Sequence, residues 1–248
     1  MEISLAAEKI AQIGILPITN SMITSWIATL LLIISGFLAT KNLKMVPRGI
    51  QNVFEAIVEF LLGTVDSVIG NMEQTKKYFP FLATIFLFIV TNNWLGLLPG
   101  VGTIGLHELK NGKEVFIPIF RAGNADLNTT LALAIIAVIM IQIFGIMAIG
   151  LGKYTKKFIN FSSPIMFFVG ILELISEISR IISFSFRLFG NVFAGEVLLA
   201  VIAMLLPFFG PLPFYALEIF VGFIQALVFT MLALVFIKMA ITDHAEAH

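Results

Sequence analysis

The sequence predicts an all-α polytopic membrane protein: about five membrane-embedded helices, one interfacial amphipathic helix, and a last pair of helices forming a long, steeply tilted hairpin. Three observations predict it. Of 248 residues, 59% are hydrophobic and 12% charged, against roughly a quarter charged in an average soluble domain. Uncharged stretches of about twenty residues, enough to cross a hydrocarbon core of roughly 30 Å, end at clusters of lysine and arginine. One further stretch, 50–70, repeats its apolar residues at the helical period and carries its acids on the other face. The 15 Lys and Arg balance the 15 Asp and Glu, which removes a basic nucleic-acid binder from consideration. No cysteine is present, so disulfides, thiol catalysis and thiolate metal sites are excluded. His107 stands in a polar loop and His244 and His248 in the tail, so neither a metal nor a cofactor is expected.

A single integral membrane domain is expected over 1–248. Residues 1–20 form an outer N-terminal segment. The first crossing, 21–40, is uncharged, and Lys41, Lys44 and Arg48 follow it directly, which places that end in the cytoplasm. Over 50–70 the stripe Ile50, Val53, Phe54, Ile57, Leu61, Val65 opposes Glu55, Glu59 and Asp66. Three carboxylates facing lipid are costly, so this helix is expected to lie in the interface. Lys76 and Lys77 remain cytoplasmic. The second crossing, 79–98, begins at Pro80 and ends at the Leu98-Pro99-Gly100 break, with Asn92 and Asn93 read as a packing or end-cap pair. The outer loop 99–126 contains Gly100, Gly102 and Gly105 in a G-x-G-x-x-G spacing. A membrane helix precedes it rather than a strand, so no dinucleotide site is expected. Residues 127–152 cross back to Lys153, Lys156 and Lys157. Eight loop cations lie inside (41, 44, 48, 76, 77, 153, 156, 157) and four outside (9, 110, 113, 121), so the N-terminus is expected outside and the C-terminus in the cytoplasm.

Residues 161–206 are apolar yet carry Glu173, Glu177, Arg180, Arg187 and Glu196. A helix of about 40 residues is roughly 60 Å long, twice the hydrocarbon thickness, so it must tilt steeply. Pro207, Gly210, Pro211 and Pro213 turn the chain, 214–241 returns, and 242–248 is a cytoplasmic tail. At about 100° per residue, Arg180, Ser183 and Asn191 share the face of Arg187, with Glu173 on the same side and Glu177 at its border. Glu196 points about half a turn away. Glu218 and Gln225 share a face of the return helix, which lets Glu218 approach Glu196.

Charges at this depth are expensive and mark ion paths. Glu177 and Arg180 are equally well read as sitting beside the cytoplasmic headgroups, with Arg180 snorkelling, whereas Arg187 and Glu196 lie deeper. No phosphate-binding loop, H-E-x-x-H or G-x-S-x-G occurs, so hydrolase chemistry lacks its parts. A guanidinium charged at every accessible pH cannot relay a proton, but it can repel one and attract a partner's carboxylate. A self-contained channel or transporter with Arg187 and Glu196 lining its path, and a purely structural membrane anchor, are the alternative readings of the same residues.

The run Ser183-Phe-Ser-Phe-Arg187-Leu-Phe-Gly-Asn191-Val-Phe-Ala-Gly-Glu196 resembles the arginine-bearing helix of subunit a of F-type ATP synthases. Asn93-Trp-Leu-Gly-Leu-Leu-Pro99, Ala125-Asp-Leu-Asn-Thr-Thr130 and the stretch from Glu218 through Gln225 and Leu227–Ala240 are similar to the same family. The resemblance implies a non-catalytic stator that faces a rotating ring of subunit c and offers two offset half-channels. It implies that Arg187 meets the ring carboxylate and blocks a direct leak. It assigns Asn191, Glu196, Glu218 and Gln225 to the outer path, and Glu173, Ser176 and Ser183 to the cytoplasmic path. Some members carry a histidine at one of the positions of Glu196 and Glu218, and an aspartate where Gly96 stands. The implied partners are the subunit c ring, the peripheral stalk subunit b, the rest of the complex and membrane lipid, with no nucleic acid. The implied location is an energy-coupling membrane, the bacterial plasma membrane.

Overall fold

A computed structural model describes residues 7–14, 16–41, 43–98, 100–110, 113–158, 163–207 and 209–242. Parts of the expected N-terminal segment (1–6), outer loop (99, 111–112), long helix (161–162) and tail (243–248) lie outside the described residues. The helices are α1 (Asn20–Lys41), α2 (Ile50–Ile69), α3 (Met72–Gly96), α4 (Leu127–Ile149), α5 (Leu151–Phe158), α6 (Pro164–Leu205) and α7 (Pro211–Ile241). Among the described residues, α1, α3, α4, α6 and α7 are long and apolar enough to cross a membrane. The protein is an all-α polytopic membrane protein.

Local chemistry sets the helix ends. Gly70 closes α2 in a left-handed conformation (φ 77°), and Asn71 then caps α3 by accepting from the N–H groups of Glu73 and Gln74 (2.9 and 3.3 Å). With that cap, α3 starts at Met72, carries Lys76 and Lys77 in its first turns and encloses Pro80. The sequence places the start at Pro80, and the difference is physical. Proline removes one ladder N–H, but a capped helix packed on both sides tolerates the loss. Asp126 caps α4 by accepting from Asn128 N–H (3.0 Å). Gly150, at φ 88°, ends it, so the expected crossing over 127–152 is a helix to Ile149 followed by the separate α5. That short helix folds back: Tyr154 donates its hydroxyl proton to Gln142, and Gly145 lies directly beneath the Tyr154 ring. Ser163 caps α6 by accepting from Met166 N–H (3.2 Å), with Pro164 in its first turn.

Two antiparallel hairpins occupy segments expected as plain connections: β1 (Lys9–Ile13) with β2 (Leu16–Thr19), and β3 (Gly105–Lys110) with β4 (Lys113–Pro118). Gly14 turns the first pair at φ 62°. The Asn111-Gly112 dipeptide between the second pair is a strong hairpin signal in its own right.

The core lies among α3, α4, α6 and α7. Ala134, Ala137, Ala226 and Ala233 are fully buried, small residues that let helix backbones approach closely. Phe184 of α6 packs its ring 4.8 Å from that of Phe229 on α7, beside Leu188, Ile89 and Phe86. The apolar stripe of α2 joins this core through Ile57, Leu61 and Val65. α6 is one unbroken helix of 42 residues, about 63 Å long at 1.5 Å per residue, so a bilayer accommodates it only at a steep incline. Its outward face, including Ile165, Phe168, Ile175, Ile182 and Phe186, is more than half exposed among the described residues.

The first turns of α6 are locked to α5 at Gly170, where an added Cβ would fall 2.1 Å from the Phe158 carbonyl oxygen. Backbone cannot yield there. Gly170→Ala is therefore expected to destabilise the chain by about 1–3 kcal/mol in thermal unfolding of the detergent-solubilised protein. Gly190→Ala, where a Cβ meets open space, is expected not to lower stability.

Candidate functional site

The polar stripe of α6 is sorted into two kinds of arginine. Arg180 sits inside a charge network: Nη1 donates to Glu177 Oε1 at 2.5 Å, and Nη2 lies 3.7 Å from Glu173 Oε1. Lys157 of α5 reaches the same Glu173 oxygen at 2.7 Å. The Arg180 guanidinium also lies over the Phe236 ring of α7, 4.2 Å from its centroid. Two carboxylates thus face two cations. Beside them, burial first and then the Glu177 carboxylate, against the opposing pull of Arg180, push the Tyr154 hydroxyl up to about 12. Its folded pKa exceeds its unfolded value, so its contribution to stability is complete below about pH 10 and is lost between about pH 10 and 12.

Arg187 is different. It is exposed, and among the described residues its hydrogen-bond partner is Ser183, whose Oγ accepts from Nη2 at 3.3 Å. Phe184, Ser185, Leu188 and Phe189, centred about 130° round the helix from Arg187, are buried, which turns Arg187 outward. An open cleft of about 360 Å³ runs along this face, its polar lining Ser176, Ser179, Arg180, Ser183 and Arg187 and its apolar lining Phe184, Leu232 and Phe236. The structure therefore gathers Ser176 and Ser183 with Arg187, while Glu173 is held in the network one helical stretch away.

Glu196 projects away from that cleft, as its spacing requires. It pairs with Arg121, whose Nη2 lies 2.9 Å from Oε2 and whose Nε reaches Oε1 and Oε2 at 3.2 and 3.1 Å. Sequence reasoning treats Arg121 as a loop cation and misses this pairing. No local pattern around Arg121 announces it, because its partner lies 75 positions further on. Glu218 does approach this turn of α6: its carboxyl group rests against Gly195, where an added Cβ would stand 2.2 Å from Oε2. Gln225 is buried with its Nε2 lacking a partner among the described residues, and Asn191 is half-buried.

A buried polar layer surrounds these groups. Asn93 donates to the Gly222 carbonyl (2.9 Å) and accepts from Asn124 Nδ2 (2.7 Å). Asn92 accepts from Ser25 Oγ (3.0 Å), Asp126 accepts from Ser21 Oγ (2.8 Å), and the hydroxyls of Thr130 and Ser185 lie 3.2 Å apart. The Asn92–Asn93 pair thus binds α3 to α1 and α7, which agrees with its expected packing role.

The family described as ATP synthase A chain matches over residues 22–238, from the first turn of α1 almost to the end of α7. The chain belongs to that family. Its relatives include the ATP synthase subunit a of Moorella thermoacetica, 33% identical over 236 residues, covering 95% of this chain and 97% of the relative. The chloroplastic ATP synthase subunit a of Oedogonium cardiacum is 40% identical over 224 residues, covering 90% and 82%. The ATP synthase subunit a of Gloeobacter violaceus is 37% identical over 229 residues, covering 92% and 86%. The match to the ATP synthase A chain family takes in α6, the 121–126 segment and α7 to Lys238, so the arginines and carboxylates described above lie inside it.

Asn93 is the hub of the polar layer. Asn93→Ala leaves an Asn124 N–H without its partner and removes the second bond to the Gly222 carbonyl, and an unsatisfied buried group costs about 1–3 kcal/mol. A lowered thermal midpoint of the solubilised protein is the expected result.

Proposed function

We propose that this chain is the proton-translocating stator of an ATP synthase membrane sector, working against a ring of subunit c and tied to the peripheral stalk subunit b. The observation that carries this reading is the uneven treatment of the two α6 arginines. Arg180 has its countercharges within the chain, whereas Arg187 faces outward on an apolar helix with a serine for company. An exposed guanidinium at that depth is costly on its own, and a carboxylate presented by a second protein lowers the cost.

In this reading Arg187 draws the proton off each ring carboxylate as it passes and prevents a direct leak, since a permanent cation repels a proton and cannot carry one. Two offset paths serve it. Asn191, Glu196, Glu218 and Gln225 line the path open to the outer side, and Glu173, Ser176 and Ser183 line the path to the cytoplasm. The loop cations favour an N-terminus outside and a C-terminus in the cytoplasm, with α2 lying in the interface. The chain itself is not catalytic: each proton crossing yields about 2.3 kcal/mol per 100 mV, so several are needed for one ATP, made elsewhere in the complex. The setting is the energy-coupling membrane of a bacterium.

The test is ATP-driven proton pumping in vesicles holding the whole complex, with passive leak recorded in parallel. Arg187→Ala is expected to reduce pumping to the uncoupled background while the complex still assembles; undiminished pumping would remove Arg187 from the role. Gly195→Ala probes the outer path more gently. The methyl group displaces only the flexible end of Glu218, so assembly is expected to be normal and pumping reduced.

A further inference from the structure

Arg121 is carried into the bundle by a backbone that has little freedom. Its N–H donates to Thr24 Oγ1 (3.3 Å). Ala122 covers Gly96 so closely that an added Cβ there would fall 2.3 Å from the Ala122 Cβ, and Gly123 is wedged against Asn92 and Ser25. The 3₁₀ turn Gly123–Ala125 that follows is fully buried. The side chain is 6% exposed, that of Glu196 is 34% exposed, and the guanidinium lies 5.9 Å from the centroid of the Phe193 ring. A multidentate fork from a buried, rigid segment holds a carboxylate at one orientation. Glu218, whose carboxyl group rests at the neighbouring Gly195, has no hydrogen-bond partner among the described residues.

We infer that Arg121 is a positioning residue for the outer path: it pins Glu196 as a fixed negative charge, and Glu218 is the carboxyl group that takes up and releases the travelling proton. This rests on the stator reading and divides its outer path into two unlike acids. Paired with Arg121, Glu196 stays ionised and takes up no proton, and Glu218, free to move, exchanges the proton at this turn. No proton is bound by Glu196 in the cycle.

The experiment uses the same vesicles with Arg121→Gln, Arg121→Lys, Glu218→Gln and the double variant Arg121→Gln/Glu196→Gln. Removing one member of a half-buried ion pair leaves the other charge unpaired, whereas removing both does not, so Arg121→Gln is expected to lower pumping at least about tenfold and the double variant to recover to within about threefold of the parent. Arg121→Lys, which keeps the charge but not the fork, is expected to fall between. Glu218→Gln is expected to abolish pumping in both backgrounds. Two results overturn the inference: Arg121→Gln pumping at the parental rate, or an assembled double variant that pumps no better than Arg121→Gln, because Glu196 would then be a carrier in its own right. If Arg121→Gln fails to assemble, the double variant and Arg121→Lys decide the matter against the parent. Arg187→Ala, run alongside, separates the two accounts: its loss of pumping with normal Arg121→Gln rejects only this inference, and its full pumping rejects the stator reading as well.

Discussion

A guanidinium keeps its charge at every pH a membrane protein meets, so each arginine built into this bundle needs a negative partner from somewhere. The chain supplies one to Arg121 in Glu196, and supplies Arg180 with Glu173 and Glu177, sharing the first with Lys157. It supplies none to Arg187 among the described residues. That imbalance organises the molecule. The neutralised arginines sit where helices meet: Arg180 shares Glu173 with Lys157 of α5 and lies over Phe236 of α7, and Arg121 ties the 121–126 segment to the later turns of α6. The remaining one stands on the exposed face.

Helix length turns this into a layout. Because α6 is about twice as long as a bilayer core is thick, its two polar ends reach different depths while Arg187 stays between them. The Glu173 network and the Glu196–Arg121 pair lie on opposite sides of Arg187 along one helix, and α7 contributes Glu218 and Gln225 to one end but the aromatic Phe236 to the other. A straight vertical span is too short to hold two charged clusters this far apart with an arginine in the middle. An inclined helix can, and small residues on α4 and α7 let it pack closely enough to be held at that incline.

Much of this was legible in residue order. The crossings, the stripe of 50–70 and the face shared by Arg180, Ser183, Arg187 and Asn191 follow from helical period and charge spacing, which are local properties. The outward turn of Glu196 followed from the same count. What escaped depends on contacts between distant positions. Pro80 looks like a helix start until the Asn71 cap is seen, and Gly150 looks like any other glycine until its positive φ ends α4. Arg121 looks like a loop cation because nothing in its neighbourhood names Glu196. The two β-hairpins are hard to read for a simpler reason: short alternating runs in a chain this apolar are outweighed by the helical stretches around them.

For Arg187 to work as proposed, the exposed face around it must be covered by a second protein rather than by lipid. With no native cysteine in the chain, single cysteines at Phe186, one position from Arg187, and at Phe37 on the exposed face of α1 can each carry a photoactivatable cross-linker in the assembled complex. The account predicts that the reagent at Phe186 captures the small ring subunit bearing the membrane carboxylate, in high yield, and that the one at Phe37 does not. Capture of lipid alone at Phe186, with the complex intact, would contradict it.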